Sequence, residues 1–198
     1  MVQLTRIYTK GGDRGKTSLG NGARVFKNSL RINAIGEVDE TNATLGLICT
    51  SLEQEDLQDP IRAIQNDLFD IGADLCMPKA PDEASFPHLQ ITEDHVHALE
   101  AWIDFYNRDL TPLNSFVLPG GSLLSAYFHL GRTICRRAER TCVALSQDEY
   151  VNPSVIHYLN RLSDLLFVLA RWCNNQGKKD VLWIPGKTKK EKESSLKK

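Results

Sequence analysis

The sequence predicts an all-α fold, a five-helix up-and-down bundle, and three observations carry that expectation. Apolar residues recur at helical spacing in five separate segments. Residues that favour helix starts stand at the head of most of them. No alternation of strand and helix patterns appears, which argues against a parallel α/β sheet. Long helices joined by short connections then pack as a bundle.

The first helix is expected from about Ser29 to Glu53. Val38, Thr41, Leu45, Ile48 and Leu52 repeat there at helical spacing, and Asp39, Asn42, Ala43 and Gly46 make a second face. The second, about Pro60 to Met77, opens on a proline and carries Ile61, Ile64, Leu68, Ile71 and Leu75. A loop with Pro78, Pro81 and Pro87 follows. Thr92 caps a third helix ahead of Val96, Leu99, Trp102 and Ile103. Pro119-Gly120-Gly121-Ser122 leads into the fourth, which extends to about Leu145. Asn152 caps the fifth and Pro153 sits in its first turn; that helix runs to about Cys173. Short strands near Ile7 and from Val181 to Ile184 have weaker support.

The chain of 198 residues is long enough to bury a core without staples. Residues 1–185 are read as one domain. The tail 186–198 is charged, has almost nothing to bury and is expected to be disordered. Twenty-four basic residues against 25 acidic ones leave a net charge of −1, which argues against a general nucleic-acid binder. The longest apolar run, around Leu165 to Ala170, is too short for a membrane span. The N-terminus lacks the basic-then-apolar order of a signal peptide. Five cysteines at wide spacings, with no CxxC, argue against a disulfide framework or a structural zinc site. A reducing, cytoplasmic location is expected.

Residues 9–22, with Gly11, Gly12, Gly15, Gly20 and Gly22, read as loop. Lys10 to Thr17 nearly satisfies the P-loop pattern, but Lys10 stands where its first glycine belongs. Leu19-Gly20-Asn21-Gly22 prevents a helix from following directly, so a Walker-type fold is rejected. The physics of phosphate binding survives without that fold. Glycines let N–H groups approach an anion, Lys10, Arg14, Lys16 and Lys27 supply cations, and Thr17 and Ser18 supply hydroxyls. The competing reading is a solvated surface loop.

Two helices carry polar faces where core is expected. On the fourth, Arg132, Arg136 and Glu139 project within roughly 60° of one another, while Arg137 points to a different face. Guanidinium groups so placed can bind phosphate or carboxylate bidentately; otherwise they form a solvated basic face. On the fifth, Asn160, Asp164, Phe167 and Arg171 share one face, opposite Leu162, Leu165, Leu166 and Leu169. An aromatic among polar groups suits a ligand pocket or a subunit interface. Asp94-His95-Val96-His97 lacks a second Glu/His set at bundle spacing and is read as surface. Cys135 and Cys173 are read as small packing hydrophobes.

Three separated groups of residues resemble the PduO-type ATP:cob(I)alamin (corrinoid) adenosyltransferases. Tyr8-Thr9-Lys10-x-Gly12-Asp13-x-Gly15-x-Thr17-Ser18-Leu19, with Arg24 and Lys27, is similar to that family's N-terminal signature. Gly36-x-x-Asp39-Glu40-x-Asn42-x-x-x-Gly46 resembles its first-helix motif. Phe116 to Ser122, Arg132 to Arg140, and Tyr158 to Phe167 resemble its last two helices and the approach to them. The order is correct from about Ile7 to Trp172. Gly11 departs from the threonine common in the family.

The resemblance implies a homotrimer with active sites between subunits, transferring the 5′-deoxyadenosyl group of ATP to the cobalt of cob(I)alamin and releasing triphosphate. It implies that residues 1–27 contain the nucleotide-binding segment. Thr9, Lys10, Gly11, Gly12, Thr17, Ser18 and Lys27 would bind ATP phosphates with Mg²⁺. Arg136, Arg137, Arg140 and Asn160 would complete the nucleotide site, with Glu139 contacting nucleotide or metal. Asp39 would pair with Arg132 across the subunit boundary, and Phe116 and Phe167 would wall the corrin ring. Cobalamin is thereby a second substrate, and transient encounters with a reductase and a cobalamin-dependent enzyme are implied. Two other readings stay open: a P-loop-like kinase or NTPase, and a non-catalytic helical chaperone that binds cobalamin.

Overall fold

A computed structural model describes residues 7–52, 55–78 and 89–188. It contains five helices, α1 (Leu30–Thr50), α2 (Glu55–Cys76), α3 (Glu93–Asn107), α4 (Leu123–Leu145) and α5 (Pro153–Trp172). A small antiparallel hairpin, β1 (Lys16–Ser18) with β2 (Arg24–Phe26), precedes them. Pro81, Pro87 and residues 189–198 of the charged tail lie outside the described residues.

The starts of three helices follow from local chemistry. The Ser122 hydroxyl accepts the Ser125 N–H at 3.1 Å and so caps α4. The Asn152 side chain accepts the Ser154 N–H at 3.1 Å, with Pro153 in the first turn of α5. At α3 the Thr92 N–H donates to His95 Nδ1 at 3.2 Å, so His95 fills the position that a Glu or Gln takes in a capping box. The second helix begins earlier than expected, at Glu55, and Pro60 lies inside it rather than opening it. A proline this close to the start sacrifices a single intrahelical hydrogen bond, which the Leu57 and Ile61 burial outweighs.

The helices alternate in direction, as a set of cross-links shows. Arg31, at the start of α1, is buried and donates to Leu75 O at 2.8 Å and Tyr150 O at 3.0 Å, and pairs with Glu149 at 2.7 Å. Those partners lie at the ends of α2 and beyond α4, so both run antiparallel to α1. Glu93 accepts from Ser154 at 2.7 Å, and Glu100 pairs with Arg161 at 2.7 Å, so α3 and α5 run parallel. In the bundle α4 packs against both α1 and α5, α2 flanks α1, and α3 flanks α5. The core is the aliphatic set of all five helices, with Phe128 and Tyr158 at its centre. Tyr158 donates to Asp67 at 2.8 Å, the satisfied form of a buried phenol.

Periodicity misplaces two side chains. Arg171 was grouped with the polar face of α5, yet it is buried in an ion pair with Asp180 at 2.7 Å, the two side chains being 5% and 3% exposed. Its Nη2 also donates to Thr111 O at 2.8 Å, and its carbonyl accepts the Gly177 N–H at 2.8 Å. This knot fastens the segment after α5 to the bundle; Arg171 belongs to the scaffold. Replacing Arg171 by Met leaves Asp180 buried and unpaired and is expected to destabilise the fold by about 3–5 kcal/mol in denaturant titration. Asn42 was grouped with Asp39, but it faces α2, where its amide donates to Gln65 O at 2.9 Å.

The five cysteines are free. Burial pushes the Cys142 and Cys173 thiols up to about 12 and raises Cys135 further, with its Sγ donating to Leu159 O at 3.2 Å. No helix among the described residues is long and apolar enough to cross a membrane.

Candidate active site

The N-terminal segment was read as loop, but half of it is ordered by the hairpin. Asn21-Gly22 makes the turn, Gly22 taking φ 83°, and Leu19 is buried beneath it. The Gly20 N–H donates to Cys76 O at 2.8 Å, docking the hairpin on the end of α2. A Cβ there would press on the Met77 sulfur and lie 3.2 Å from Cys76 O, so a larger residue would make the Met77 side chain move.

Arg24 organises the loop ahead of the hairpin. It donates to Gly11 O at 2.7 Å, Lys16 O at 3.2 Å and the Ser18 hydroxyl at 3.1 Å. The Lys27 N–H donates to Gly15 O at 2.9 Å. Its ammonium lies over Gly12, 2.9 Å from where a Cβ would stand, so Gly12 makes room for that charge. Lys10 adopts φ 59°, and the Lys16 ammonium sits 4.8 Å over the Phe26 ring. Gly11, Lys16 and Ser18 are thus tied to one guanidinium, and Lys27 lies beside Gly12 and Gly15, with Thr9, Lys10 and Thr17 adjoining in sequence. Four cations and several backbone groups face outward here, a concentration suited to a polyphosphate.

The second group lies on α4 and α5. Glu139 Oε1 accepts the Asn160 amide at 3.0 Å, joining the two helices. Asn160 Oδ1 accepts from Arg161 at 2.7 Å, so the carboxamide is held at both ends. Arg136 and Arg140 are exposed on the same side of α4. Arg132 is half-buried; burial and the neighbouring Arg136 cation both lower its pKa. Arg137 takes the other direction expected of it and pairs with Glu37 at 3.8 Å and with Glu40 of α1. Partial burial raises the Asp164 pKa against the pull of Arg161 and Arg136.

The two phenylalanines have separate supports. Phe116 is 77% exposed, its ring 6.0 Å from Trp183. The backbone beneath it is strand-like: Trp183 N–H donates to Phe116 O at 2.7 Å and Leu118 N–H to Val181 O at 2.8 Å. The expected strand from Val181 to Ile184 is thus present as a bridge, Val117 with Leu182, whereas the described residues from Ile7 to Gly15 form no strand. Phe167 is half-buried and meets His129 edge-on at 6.0 Å. Asp39 is exposed on α1, on a face that also shows Gly36, Ala43 and Leu47.

Within one chain, no hydrogen bond or ion pair among the described residues joins the hairpin segment to the α4 arginines. Arg24, His129 and Trp183 were not singled out as site residues. Arg24 had a signal, since its long guanidinium follows a loop rich in carbonyls that need a donor. The other two had none, because their importance comes from contacts across long sequence separations.

Comparison with known proteins supplies the context. Residues 7–173 match the family model described as cobalamin adenosyltransferase. A corrinoid adenosyltransferase of Mycobacterium leprae is 47% identical over 193 residues, covering 93% of this chain and 98% of that protein. The Mycobacterium tuberculosis H37Rv corrinoid adenosyltransferase is 49% identical over 189 residues, covering 93% and 96%. Among solved structures, a variant of the PduO-type ATP:corrinoid adenosyltransferase from Lactobacillus reuteri, complexed with cobalamin and ATP, superposes with a TM-score of 0.85 at 37% identity, covering 91% of this chain and 97% of that one. With this extent of matching sequence and the same five-helix architecture, the chain belongs to the cobalamin adenosyltransferase family.

Proposed function

We propose that this protein transfers the 5′-deoxyadenosyl group of ATP to the cobalt of cob(I)alamin, releasing triphosphate. The observation that carries the reading is the pairing of a cation-rich glycine cradle with an arginine face, on a chain that matches adenosyltransferases over nearly its whole length. The solved relative that holds cobalamin and ATP together supports both substrates.

The chemistry asks little of acid–base groups. Reduced cobalt is the nucleophile, the ribose 5′-carbon is attacked, and the carbon–oxygen bond to the triphosphate breaks with its electron pair leaving on oxygen. The protein must align cobalt with carbon, for which positioning contributes roughly 7–11 kcal/mol. It must also hold the charge of the leaving group, each preorganised donor contributing roughly 3–4 kcal/mol. Thr9, Lys10, Gly11, Gly12, Thr17, Ser18 and Lys27 hold the phosphates. Arg136, Arg140 and Asn160 complete the nucleotide site. Arg137 joins them by exchanging Glu40 for phosphate, which its 43% side-chain exposure permits.

Mg²⁺ fits this site as an ion carried by the nucleotide. No cluster of three or more metal-ligating side chains occurs among the described residues, and Mg²⁺ needs only one or two carboxylates when phosphates supply the rest. Glu139, with one oxygen held by Asn160, is the carboxylate in place, and the ion would neutralise phosphate charge.

The site is completed by assembly into a homotrimer. Leu47 of α1 and Val143 of α4 are exposed on helix faces whose other members include Asp39, Ala43 and Arg136, and Leu130 is exposed on another face of α4. Apolar side chains on such faces suit burial against another subunit. Across that boundary Asp39 pairs with Arg132, while Phe116 and Phe167 wall the corrin ring and exclude water from the cobalt. Residues 1–185 act as one domain, with residues 186–198 a tail outside it, in the cytoplasm. A reductase supplies the cob(I) state, and a cobalamin-dependent enzyme receives the product.

The decisive assay incubates purified protein with ATP, Mg²⁺ and chemically reduced cobalamin. The expected result is the absorbance change of cobalt–carbon bond formation with stoichiometric triphosphate. Release of ADP and phosphate instead would establish a kinase or NTPase, and binding without bond formation a chaperone.

A further inference from the structure

Both ring nitrogens of His129 and the Nε of Arg132 are buried with no hydrogen-bond partner among the described residues. The three atoms belong to one turn of α4. His129 is 2% exposed, and its ring meets Phe167 edge-on. Leaving a polar group buried without a partner costs about 1–3 kcal/mol. A side chain needed only to fill space beside Phe167 would be Leu or Phe, at no such cost. The imidazole therefore has polar work.

Its charge state follows from its surroundings. Burial and the Arg132 cation both lower the His129 pKa. Asp180 pulls the other way, but it is engaged by Arg171 at 2.7 Å and by the Asn174 amide at 3.3 Å. A neutral imidazole offers one donor and one acceptor. Arg132 Nε–H is a donor only and needs an acceptor. No direct bond joins the two groups, and the requirements match with one water between them, since a buried water typically makes about three hydrogen bonds.

We propose that His129 is a positioning residue of the adenosyl-transfer site, its ring fixing the plane of Phe167 and its acceptor nitrogen taking the Arg132 Nε–H through one bridging water. The inference rests on the reading of the site given above. Two groups of the proposed site come from different helices, Arg132 from α4 and Phe167 from α5. His129 touches one and lies a turn from the other, so it sets their relative placement. It contacts neither substrate.

Two variants separate this role from packing. His129→Phe keeps an aromatic edge but removes the acceptor; His129→Gln keeps an acceptor but loses the ring. The expected result is a kcat about tenfold or more lower for H129F, the scale of a misplaced reacting group, with the KM for ATP within about twofold. H129Q recovers part of that kcat while its KM for cobalamin rises. A packing role predicts the reverse order, with H129F the better enzyme, and that result would overturn the proposal. An active wild type with an unaffected H129F sinks only this inference, whereas an inactive wild type sinks the assigned function. ¹⁵N-histidine NMR of the wild type and Arg132→Lys reads the contact without activity or a His129 variant. The His129 ring signals are expected to move, and signals identical in the two proteins would refute the contact.

Discussion

Arg132→Ala is expected to lower adenosyl transfer by about 10²–10³-fold, the range for loss of one preorganised donor, while the bundle stays folded. The reasoning starts from what the side chain lacks. Arg132 makes no ion pair or hydrogen bond to a described residue of its own chain, and its Nε is buried without a partner. Alanine is the best helix former and removes a buried donor that no described protein atom satisfies, so α4 stays folded even as the proposed water-mediated link to His129 is lost. The thermal midpoint should therefore hold or rise for the isolated fold. Activity should collapse, because the guanidinium is the proposed partner of Asp39 on the neighbouring subunit and borders the corrin wall through His129. Arg132→Lys is not a conservative rescue, since an ammonium cannot reproduce the planar fork. Steady-state turnover beside a thermal melt checks the pair of expectations. Turnover at the wild-type level would remove Arg132 from the site.

Phe116→Ala is expected to cut the rate with cobalamin about 10²-fold and leave ATP affinity within about twofold. At 77% exposure the ring contributes little to the fold of one chain, and its only ring partner among the described residues is Trp183. Such an aromatic is kept for what binds against it. A flat apolar wall under the corrin keeps water from the cobalt and holds the metal in line with the 5′-carbon. Parallel loss of ATP affinity and cobalamin turnover would contradict that division of labour and place Phe116 in the nucleotide site.

Much of this architecture was legible in the sequence because its signals are local. Ser122, Asn152-Pro153 and Thr92 mark helix starts by side-chain chemistry that acts over two or three residues. Val38, Leu45 and Ile48 recur at the period of the helix they bury. The misses have physical reasons. Glycine density hid the hairpin, although Asn21-Gly22 is a turn signal between short β-prone segments. Pro60 reads as a helix start, but the Leu57 side chain fits the core one turn earlier and extends α2. Arg171 shares the helical phase of Asn160 and Asp164, and its burial is decided by Asp180, a residue beyond the helix that periodicity does not see. Asn42 is claimed in the same way by Gln65 of another helix.

The local features of the candidate site were legible in the sequence; their arrangement was not. Loop glycines with lysines announce an anion cradle, and closely spaced arginines on one helix announce a second basic surface. What the sequence does not encode locally is that Arg24 gathers the cradle, or that Arg137 is held by α1 while Arg136 is free of it. Nor does a single chain join cradle to arginines; that union is the part assigned to assembly.

Complementation between two inactive variants tests that assignment most directly. Lys27→Ala disables the cradle and Arg136→Ala the arginine face, and differently tagged copies can be co-expressed and purified as mixed oligomers. If each site takes its cradle from one subunit and its arginines from the next, a mixed trimer contains one intact site and regains about one third of wild-type turnover. If the mixed oligomers stay as inactive as either variant alone, each site is built within a single chain, and the account of a shared active site is wrong.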